Sequence, residues 1–447
     1  MQELELSLGI LNEIVDSDVP FPDALKKVFQ TNLELRPLRN VVAGLIGCEL
    51  RHHILFEYIF GNEDFATWEA SEKRFASLVV ANAYYFKRIP SLEARKALEE
   101  HLGVEKAALV DPILAKAGKP EEYIPGSFPK ASNRYLSLRY NTPEWVLKIW
   151  EHFGFGTTYK ILKTNSRPEI SYVRVRTSRI SVEEVLASSK DFAKTSVDGI
   201  LSYRGSLPLR KLPIFKEGKL FNEKPATKAV LDKFKIEEPD ECLAFIGTKD
   251  TSILKELLET YGSSIGLNLG VDDLSKYPEI TRIIRENKLR NVNFFSASPL
   301  QMKAAISRPQ DLVICSPNSS NFDLVRQEPD FLLHFKKESM DETFKKEKEM
   351  LEGCSAHVNE GGTLIYMIYT ISRKEGHSTI ESFLFSHPEF KMVREAQSFP
   401  FEEHDTAMYF AVLQKQSDLA SLEPPLTELS KLGATESLFS SQLEGGR

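Results

Sequence analysis

The spacing of apolar residues divides the chain into a helical first part and a later part in which strands alternate with helices. Up to about residue 115, apolar side chains recur every three or four positions, as in LRNVVAGLIGCELRHHILFEYIF, and this predicts amphipathic helices. From Thr227 to Gln414, short apolar runs such as CLAFIG, DLVIC and TLIYMIY alternate with helical segments. Buried strands that alternate with helices predict a mostly parallel, doubly wound sheet.

A linker and a small α/β unit separate these two parts. The segment YIPGSFPKASN is rich in Pro, Gly and Ser, a composition typical of linkers. After it, ISYVRVRTS and GILSYRG alternate like strands on either side of the helical segment ISVEEVLASS. The predicted division is a helical domain at 1–122, a linker and connecting helix at 123–156, a small basic α/β domain at 157–226, a sheet domain at 227–415 and a mobile tail at 416–447.

The charge of the chain is unevenly distributed. The net charge of −7 argues against a protein that coats nucleic acid indiscriminately, but it does not exclude a local basic face. Basic residues are dense in the small α/β domain, among them Arg174, Arg176 and Lys211. They predict a surface that contacts RNA phosphates. The alternative is an ordinary solvated strand face.

The cysteine pattern and the apolar runs exclude several classes of protein. The four cysteines contain no Cys-x-x-Cys pair, and His52 and His53 have no partner at metal-ligand spacing, so we expect neither a metal site nor a disulfide scaffold. The N-terminal segment carries acids and no basic stretch, so we expect no signal peptide. No apolar run approaches the ~20 residues that span a membrane. We therefore expect a cytoplasmic protein.

Several motifs occur in order along the chain and together resemble one family. They are RYNTPEWV, the pattern Arg-x-x-Pro-Asp at 326–330, GGTLIYMIYT and MYFAVLQK. Over residues 1 to 415 the chain resembles the Sun (Fmu) type of RNA cytosine carbon-5 methyltransferases, some of which modify small-subunit ribosomal RNA. The resemblance implies a multidomain α plus α/β fold. This fold comprises a NusB-like helical domain, a small α/β RNA-binding domain and a Rossmann-like class I methyltransferase domain that uses S-adenosylmethionine. It also implies RNA contacts for Arg139 and Arg326, although Arg139 could instead fix the connecting helix to the sheet domain.

The chain departs from this family at the catalytic positions. The family attacks cytosine with a cysteine in Tyr-Ser-Thr-Cys-Ser, and here Tyr369 stands in that place. A second cysteine belongs to Asp-Ala-Pro-Cys-Ser-Gly, where this chain has Asn318 for the cysteine and Cys315 for the acid. A phenol is a poor substitute for a thiolate. Cys315 could be a displaced nucleophile or a buried core residue, and Tyr369 could stack on a base or fill the space of the missing cysteine.

The positions that the resemblance implies for the cofactor are also altered. One glycine and the lysine of the family's Pro-Gly-Gly-Lys-Thr loop remain. The ribose-binding acid should fall near Gly270; Asp272 and Asp273 follow, and a shifted register could place Asp272 there. The position of the acid near the adenine is occupied by Ser298. Each lost charge-assisted hydrogen bond is worth about 1.5–3 kcal/mol, so we expect weakened binding of S-adenosylmethionine. The implied cofactor positions are Gly247, Thr248, Lys249, Asp272, Ser298 and Pro317.

The sequence therefore predicts a monomeric RNA-binding protein, with ribosomal RNA as its partner, that has lost cytosine methylation. One alternative is an active S-adenosylmethionine-dependent RNA methyltransferase with a divergent site. Another is a protein-interaction scaffold that binds no RNA. Salt-dependent RNA binding would separate the first two hypotheses from the third, and cofactor binding would separate the first two from each other.

Overall fold

The structure is a computed structural model that describes most of the chain and divides it into two compact units. One unit comprises Met1–Pro168 and Leu324–Lys337, and the other comprises Glu169–Asp323 and Glu338–Arg447. The five-part division of the sequence stays a prediction. The described residues are 2–116, 120–167, 169–205, 207–236, 241–246, 251–263, 265–271, 273–402 and 404–417, with the backbone alone for 241–246 and for 299.

The first unit is helical, as the spacing of its apolar residues predicts. Side chains such as Leu45, Phe56 and Phe75 are almost fully buried in one continuous apolar core, whose burial stabilises the packed helices. The helices are α1 (Gln2–Ser17), α2 (Phe21–Thr31), α3 (Arg39–Leu50), α4 (His53–Phe60), α5 (Ala70–Ala81), α6 (Ser91–Leu102), α7 (Val104–Ala115), α8 (Asn133–Tyr140), α9 (Glu144–Trp150) and α10 (Phe155–Asn165).

The described part of the second unit contains two sheets. The strands are β1 (Ser171–Val175), β2 (Phe192–Lys194), β3 (Ile200–Tyr203), β4 (Leu220–Asn222), β5 (Glu241–Ile246), β6 (Gly266–Val271), β7 (Val292–Ser296), β8 (Gln310–Ser316), β9 (Val358–Ile368), β10 (Phe390–Ser398) and β11 (Met408–Lys415). A four-stranded antiparallel sheet has the order β2-β3-β1-β4, and a seven-stranded sheet has the order β10-β11-β9-β8-β5-β6-β7. Strands β5 to β9 are parallel, and β11 runs antiparallel between β9 and β10. The mostly parallel sheet is confirmed.

Helices cover both faces of the large sheet, as expected of a doubly wound fold. The remaining helices are α11 (Val182–Ser188), α12 (Pro213–Lys216), α13 (Pro225–Lys233), α14 (Ser252–Tyr261), α15 (Tyr277–Glu286), α16 (Pro299–Ala305), α17 (Phe331–His334), α18 (Ser339–Ser355) and α19 (His377–Ser386). Of these, α17 belongs to the helical unit, because it lies within the segment 324–337. Among the described helices, none is both long and apolar enough to cross a membrane.

The segment 324–337 interrupts the second unit and packs in the first. Asp330 is buried, and its Oδ2 accepts a hydrogen bond of 2.7 Å from the backbone N–H of Phe21. That N–H belongs to the first residue of α2, whose N-cap Pro20 offers no side-chain acceptor. Asp330 therefore caps the helix from a distant part of the chain and fixes the segment on the helical unit.

Candidate active site

The candidate active site lies at the carboxyl end of the large sheet. In this sheet the strand order reverses between β5 and β8. Open parallel sheets bind ligands in the crevice at such a reversal. Two loops reach this end of the sheet, one after β8 at 317–321 and one after β9 at 369–375. Asn321 has a left-handed φ of 52°, which turns the first loop sharply.

Tyr369 is held in place at the start of the second loop. Its side chain is 5% exposed, and its hydroxyl lies 2.8 Å from Oγ1 of Thr227. The ammonium of Lys224 lies 4.3 Å from the ring centroid, and Lys224 forms an ion pair with Asp323. A cation at this distance is attracted to the ring. These contacts favour the interpretation that Tyr369 fills the space of the missing cysteine over the one in which it stacks on a base.

Cys315 faces the opposite side of the sheet from Tyr369. Adjacent residues of a strand point to opposite faces. Tyr369 packs with Ile314 and Ile365 on one side of the sheet, whereas Cys315 packs with Cys354 and other residues on the other side. Burial and the neighbouring Cys354 raise the pKa of the Cys315 thiol well above its usual value. A buried, protonated thiol is not a nucleophile, so Cys315 is a core residue in this structure.

Asn318 is the most accessible residue of the first loop. It is exposed, and its Oδ1 accepts a hydrogen bond of 3.0 Å from Nδ2 of Asn321. The neighbouring Pro317 is buried. An amide neither ionises nor attacks a base as a thiolate does, so Asn318 can offer only hydrogen bonds.

A buried carboxylate that the sequence analysis missed joins the two loops. Glu375 is fully buried, and its carboxylate accepts hydrogen bonds from Ser320 N at 2.6 Å, Ser320 Oγ at 2.7 Å and Thr370 Oγ1 at 3.0 Å. Hydrogen bonds to a charged acceptor are among the stronger ones in proteins. Glu375 therefore fixes the loop after β8 against the loop after β9.

The structure describes only part of the implied cofactor site. Gly247, Thr248, Lys249 and Asp272 lie outside the described residues. Ser298 caps α16, since its Oγ accepts a hydrogen bond of 3.2 Å from Gln301 N. In a similar way, Oδ1 of Asp273 accepts a hydrogen bond of 2.9 Å from Ser275 N. No group of three or more potential metal ligands occurs among the side chains that the structure describes.

Two of the three basic residues predicted in the small domain are engaged in ion pairs within the second unit. Arg174 is 8% exposed, and its Nε lies 2.9 Å from Oε2 of Glu256 on α14. Arg176 forms an ion pair with Glu259 on the same helix. These pairs fix β1 against α14, so the structure gives both arginines a packing role. Lys211 is exposed.

The other two predicted RNA contacts lie in the helical unit. Arg139 forms an ion pair with Glu121, and both residues belong to the helical unit, so this pair does not fix the connecting helix to the sheet domain. Arg326 is 7% exposed, and its Nε donates a hydrogen bond of 3.2 Å to the backbone oxygen of Arg167. Arg326 is therefore largely shielded from solvent in this structure. An RNA contact by any of these residues stays a prediction.

Comparison with known proteins finds relatives whose sequences align with most of this chain. No family model matches. The chain is 22% identical to a probable ribosomal RNA small subunit methyltransferase B of Bacillus subtilis, over 82% of this chain and 84% of that protein. It is 24% identical to ribosomal RNA small subunit methyltransferase B of Xanthomonas campestris, over 62% and 67% of the two chains.

Solved structures share the fold over a similar length. The crystal structure of PH0851 has a TM-score of 0.68 at 18% identity, and the match covers 92% of this chain and 99% of that chain. A methyltransferase homologue from Pyrococcus horikoshii has a TM-score of 0.54 at 14% identity, over 64% and 99% of the two chains. At these identities the likeness establishes the fold alone.

Proposed function

Since this chain belongs to the Sun-type family of ribosomal RNA methyltransferases, we propose that it binds ribosomal RNA and no longer methylates cytosine. The observation that carries the proposal is the environment of Tyr369. The residue in the place of the nucleophilic cysteine is a buried phenol whose hydroxyl is within hydrogen-bonding distance of Thr227. The relatives act on small-subunit ribosomal RNA, according to their names, and this suggests the partner.

The chemistry of carbon-5 methylation supports the loss of activity. The reaction needs a soft nucleophile that adds to carbon-6 of the cytosine ring, and a thiolate supplies this readily near neutral pH, whereas a phenol does not. The described thiols of the second unit, Cys315 and Cys354, are both buried on the other side of the sheet from Tyr369. Neither of them can reach a base placed beside Tyr369.

We further propose that S-adenosylmethionine binds weakly. The fold and the position of Pro317 are consistent with a cofactor crevice at the end of β8, and Ser298 offers a hydroxyl after β7. When bound, the cofactor would supply an electrophilic methyl group. Ser298 cannot replace the charge-assisted hydrogen bonds of a carboxylate, and Asp273 already accepts a hydrogen bond from Ser275 N.

We expect the purified protein to transfer no methyl group to small-subunit ribosomal RNA. The measurement is incorporation of radioactive methyl from S-adenosylmethionine, with an active family member assayed in parallel as the positive control. The double variant Tyr369→Cys with Asn318→Cys should remain inactive if the cofactor site is weak, because restored thiols need a bound methyl donor. The variant Tyr369→Phe, which keeps the aromatic ring and adds no thiol, is the matched control for the double variant.

Two further measurements separate the competing hypotheses. Titration calorimetry with S-adenosylmethionine should give weak or no binding, whereas micromolar binding together with methyl transfer would establish an active enzyme. Binding to small-subunit ribosomal RNA should weaken as salt rises, because counterions are released from phosphates. Failure to bind this RNA at any salt concentration would favour a protein-interaction scaffold.

A further inference from the structure

The helical unit contains a polar cavity that is separate from the candidate active site. The cavity has a volume of about 100 Å³ and is lined by residues that include Arg51, Arg139, Tyr140 and Asn165. These residues come from the junction of α3 with α4, from the end of α8 and from the end of α10. Since a single water needs only about 10–15 Å³ measured in this way, the cavity can hold a group larger than several waters.

The cavity presents a buried hydrogen-bond donor that the described residues do not satisfy. The Nδ2 atom of Asn165 is buried and has no hydrogen-bond partner within the described structure. Arg51 uses Nη1 to donate a hydrogen bond of 3.3 Å to the backbone oxygen of Arg326, and this leaves other donors of its guanidinium. A buried donor without a partner is costly, so the Nδ2 group of Asn165 calls for an acceptor from outside the chain.

The charges around the cavity favour an anionic acceptor. Glu328 lines the wall, and Arg139 forms an ion pair with Glu121, so two carboxylates are present. The guanidinium groups of Arg51 and Arg139 line the cavity and oppose them, and the charge of Arg326 acts on Arg51 from outside the lining. The charged residues that line the cavity, Arg51, Arg139 and Glu328, therefore carry a net charge of about +1. Burial lowers the pKa of His52, which adds no charge near neutral pH.

A run of aromatic rings leads from the cavity to an exposed face of α10. Tyr140 lines the cavity and meets Tyr159 edge to face, with a centroid distance of 6.0 Å. Tyr159 stacks in turn on Phe155. Phe155 is 54% exposed and Tyr159 is 41% exposed, and exposed Lys163 follows one turn later on the same face. Two large exposed rings beside a basic side chain are typical of a surface that takes nucleic-acid bases.

We propose that α10 and this cavity form a binding site for single-stranded RNA. A backbone phosphate enters the cavity and accepts hydrogen bonds from Arg51 and Asn165. The adjacent bases stack on Tyr159 and Phe155. Unpaired bases are the part of RNA that proteins read by stacking, whereas duplex RNA hides them. The site deepens the proposed function and rests on it, because it assigns the RNA binding of the chain to a defined face of the helical unit.

The test uses the full chain and two fluorescein-labelled probes, an oligouridylate and an RNA duplex of the same length. Binding is followed by fluorescence anisotropy. The double variant Phe155→Ala with Tyr159→Ala should weaken binding of the oligouridylate by roughly 30-fold or more, since it removes two stacking rings and stacking is worth about 1–3 kcal/mol per base. Binding of the duplex should change by less than about twofold, because its bases are not available for stacking.

A second variant tests the cavity itself. Asn165→Asp keeps the shape of the side chain but replaces the donor with a negative charge, so it should weaken binding of the oligouridylate about tenfold or more through repulsion of the phosphate. Inorganic phosphate at millimolar concentration should compete only weakly with the oligouridylate, because it cannot use the aromatic face. Effective competition by phosphate would instead identify a site for the free anion and would overturn the RNA assignment.

The matched control is Phe385→Ala, which removes an aromatic ring that is 83% exposed on α19 in the other unit. It should leave binding of both probes unchanged, and thermal unfolding of every variant should match that of the wild type. If wild-type protein binds the oligouridylate and the double variant binds it equally well, the inference is overturned and the proposed function survives. If wild-type protein binds neither these probes nor small-subunit ribosomal RNA, both proposals are overturned.

Discussion

Replacing His53 with leucine is expected to lower the free energy of unfolding of the helical unit by about 3–5 kcal/mol. His53 is 6% exposed, and its Nδ1 lies 3.0 Å from Oε1 of Glu49, which is 1% exposed. Glu49 also accepts a hydrogen bond of 3.0 Å from the hydroxyl of Ser77. Without the imidazolium, the carboxylate of Glu49 would be buried without a countercharge, and this accounts for the large cost.

The matched control for this prediction is the double variant Glu49→Leu with His53→Leu. Replacing both members of a buried ion pair with apolar residues is often nearly neutral, because no uncompensated charge remains. We therefore expect the double variant to be more stable than either single variant. Tryptophan fluorescence during urea unfolding can measure this, because all three tryptophans, Trp68, Trp145 and Trp150, lie in the helical unit. Equal stability of the single and double variants would contradict the prediction.

The same ion pair makes a definite prediction about pH. Burial lowers the pKa of His53, but the charges and hydrogen bonds of Glu49 and Glu57 outweigh it and raise the pKa to about 10. The unfolded value is about 6.5. The stabilisation is therefore fully present below pH 6.5 and is lost as pH rises towards 10, by up to ~1.4 kcal/mol per pH unit. The difference in stability between wild type and His53→Leu should shrink over this range.

Much of the fold follows from local patterns in the sequence. The runs CLAFIG, SIGLNLG, VNFFS, DLVIC and TLIYMIY became the parallel strands β5 to β9, because short apolar runs between helical segments are typical of parallel strands. In β6 and β8 nearly every side chain is buried. In contrast, β10 was not predicted. Its sequence FKMVREAQS mixes charged and apolar residues, as an edge strand can, since one of its edges pairs only with β11. Pattern alone does not distinguish such a strand from a loop.

The candidate site was only partly predictable, since its most informative features depend on tertiary structure. The sequence located Tyr369 and Asn318 in the loops after β9 and β8. It left open whether Cys315 could react, because only the sheet shows that this thiol faces away from Tyr369. Glu375 gave no signal, since an acid in a polar loop looks solvated until its three donors are seen. The sequence likewise showed a cluster of basic residues that includes Arg174 and Arg176. It did not show that these two arginines form ion pairs with Glu256 and Glu259, which lie about 80 positions away along the chain.

The buried carboxyl group of Glu347 gives the second large prediction, this time for the sheet unit. Glu347 lies on α18 and is fully buried. Burial and the charge of Glu375 raise its pKa well above the usual value. The folded protein thus favours the protonated form, so stability is greatest below the unfolded pKa of about 4.3 and falls as pH rises towards the folded pKa. At pH 7 the wild type therefore carries a penalty that a neutral side chain of the same shape would avoid.

Glu347→Gln is accordingly expected to stabilise the protein at pH 7 by up to about 3–4 kcal/mol, because at most ~1.4 kcal/mol per pH unit accumulates between pH 4.3 and pH 7. At pH 5 the gain should fall to about 1 kcal/mol or less. Glu349→Gln, an exposed change on the same helix, should alter stability by less than about 0.5 kcal/mol at either pH. Urea unfolding followed by circular dichroism measures these differences, while tryptophan fluorescence reports the helical unit separately. A gain of the same size at both pH values would mean that Glu347 is already charged in the folded protein, where the charge of Glu375 opposes it.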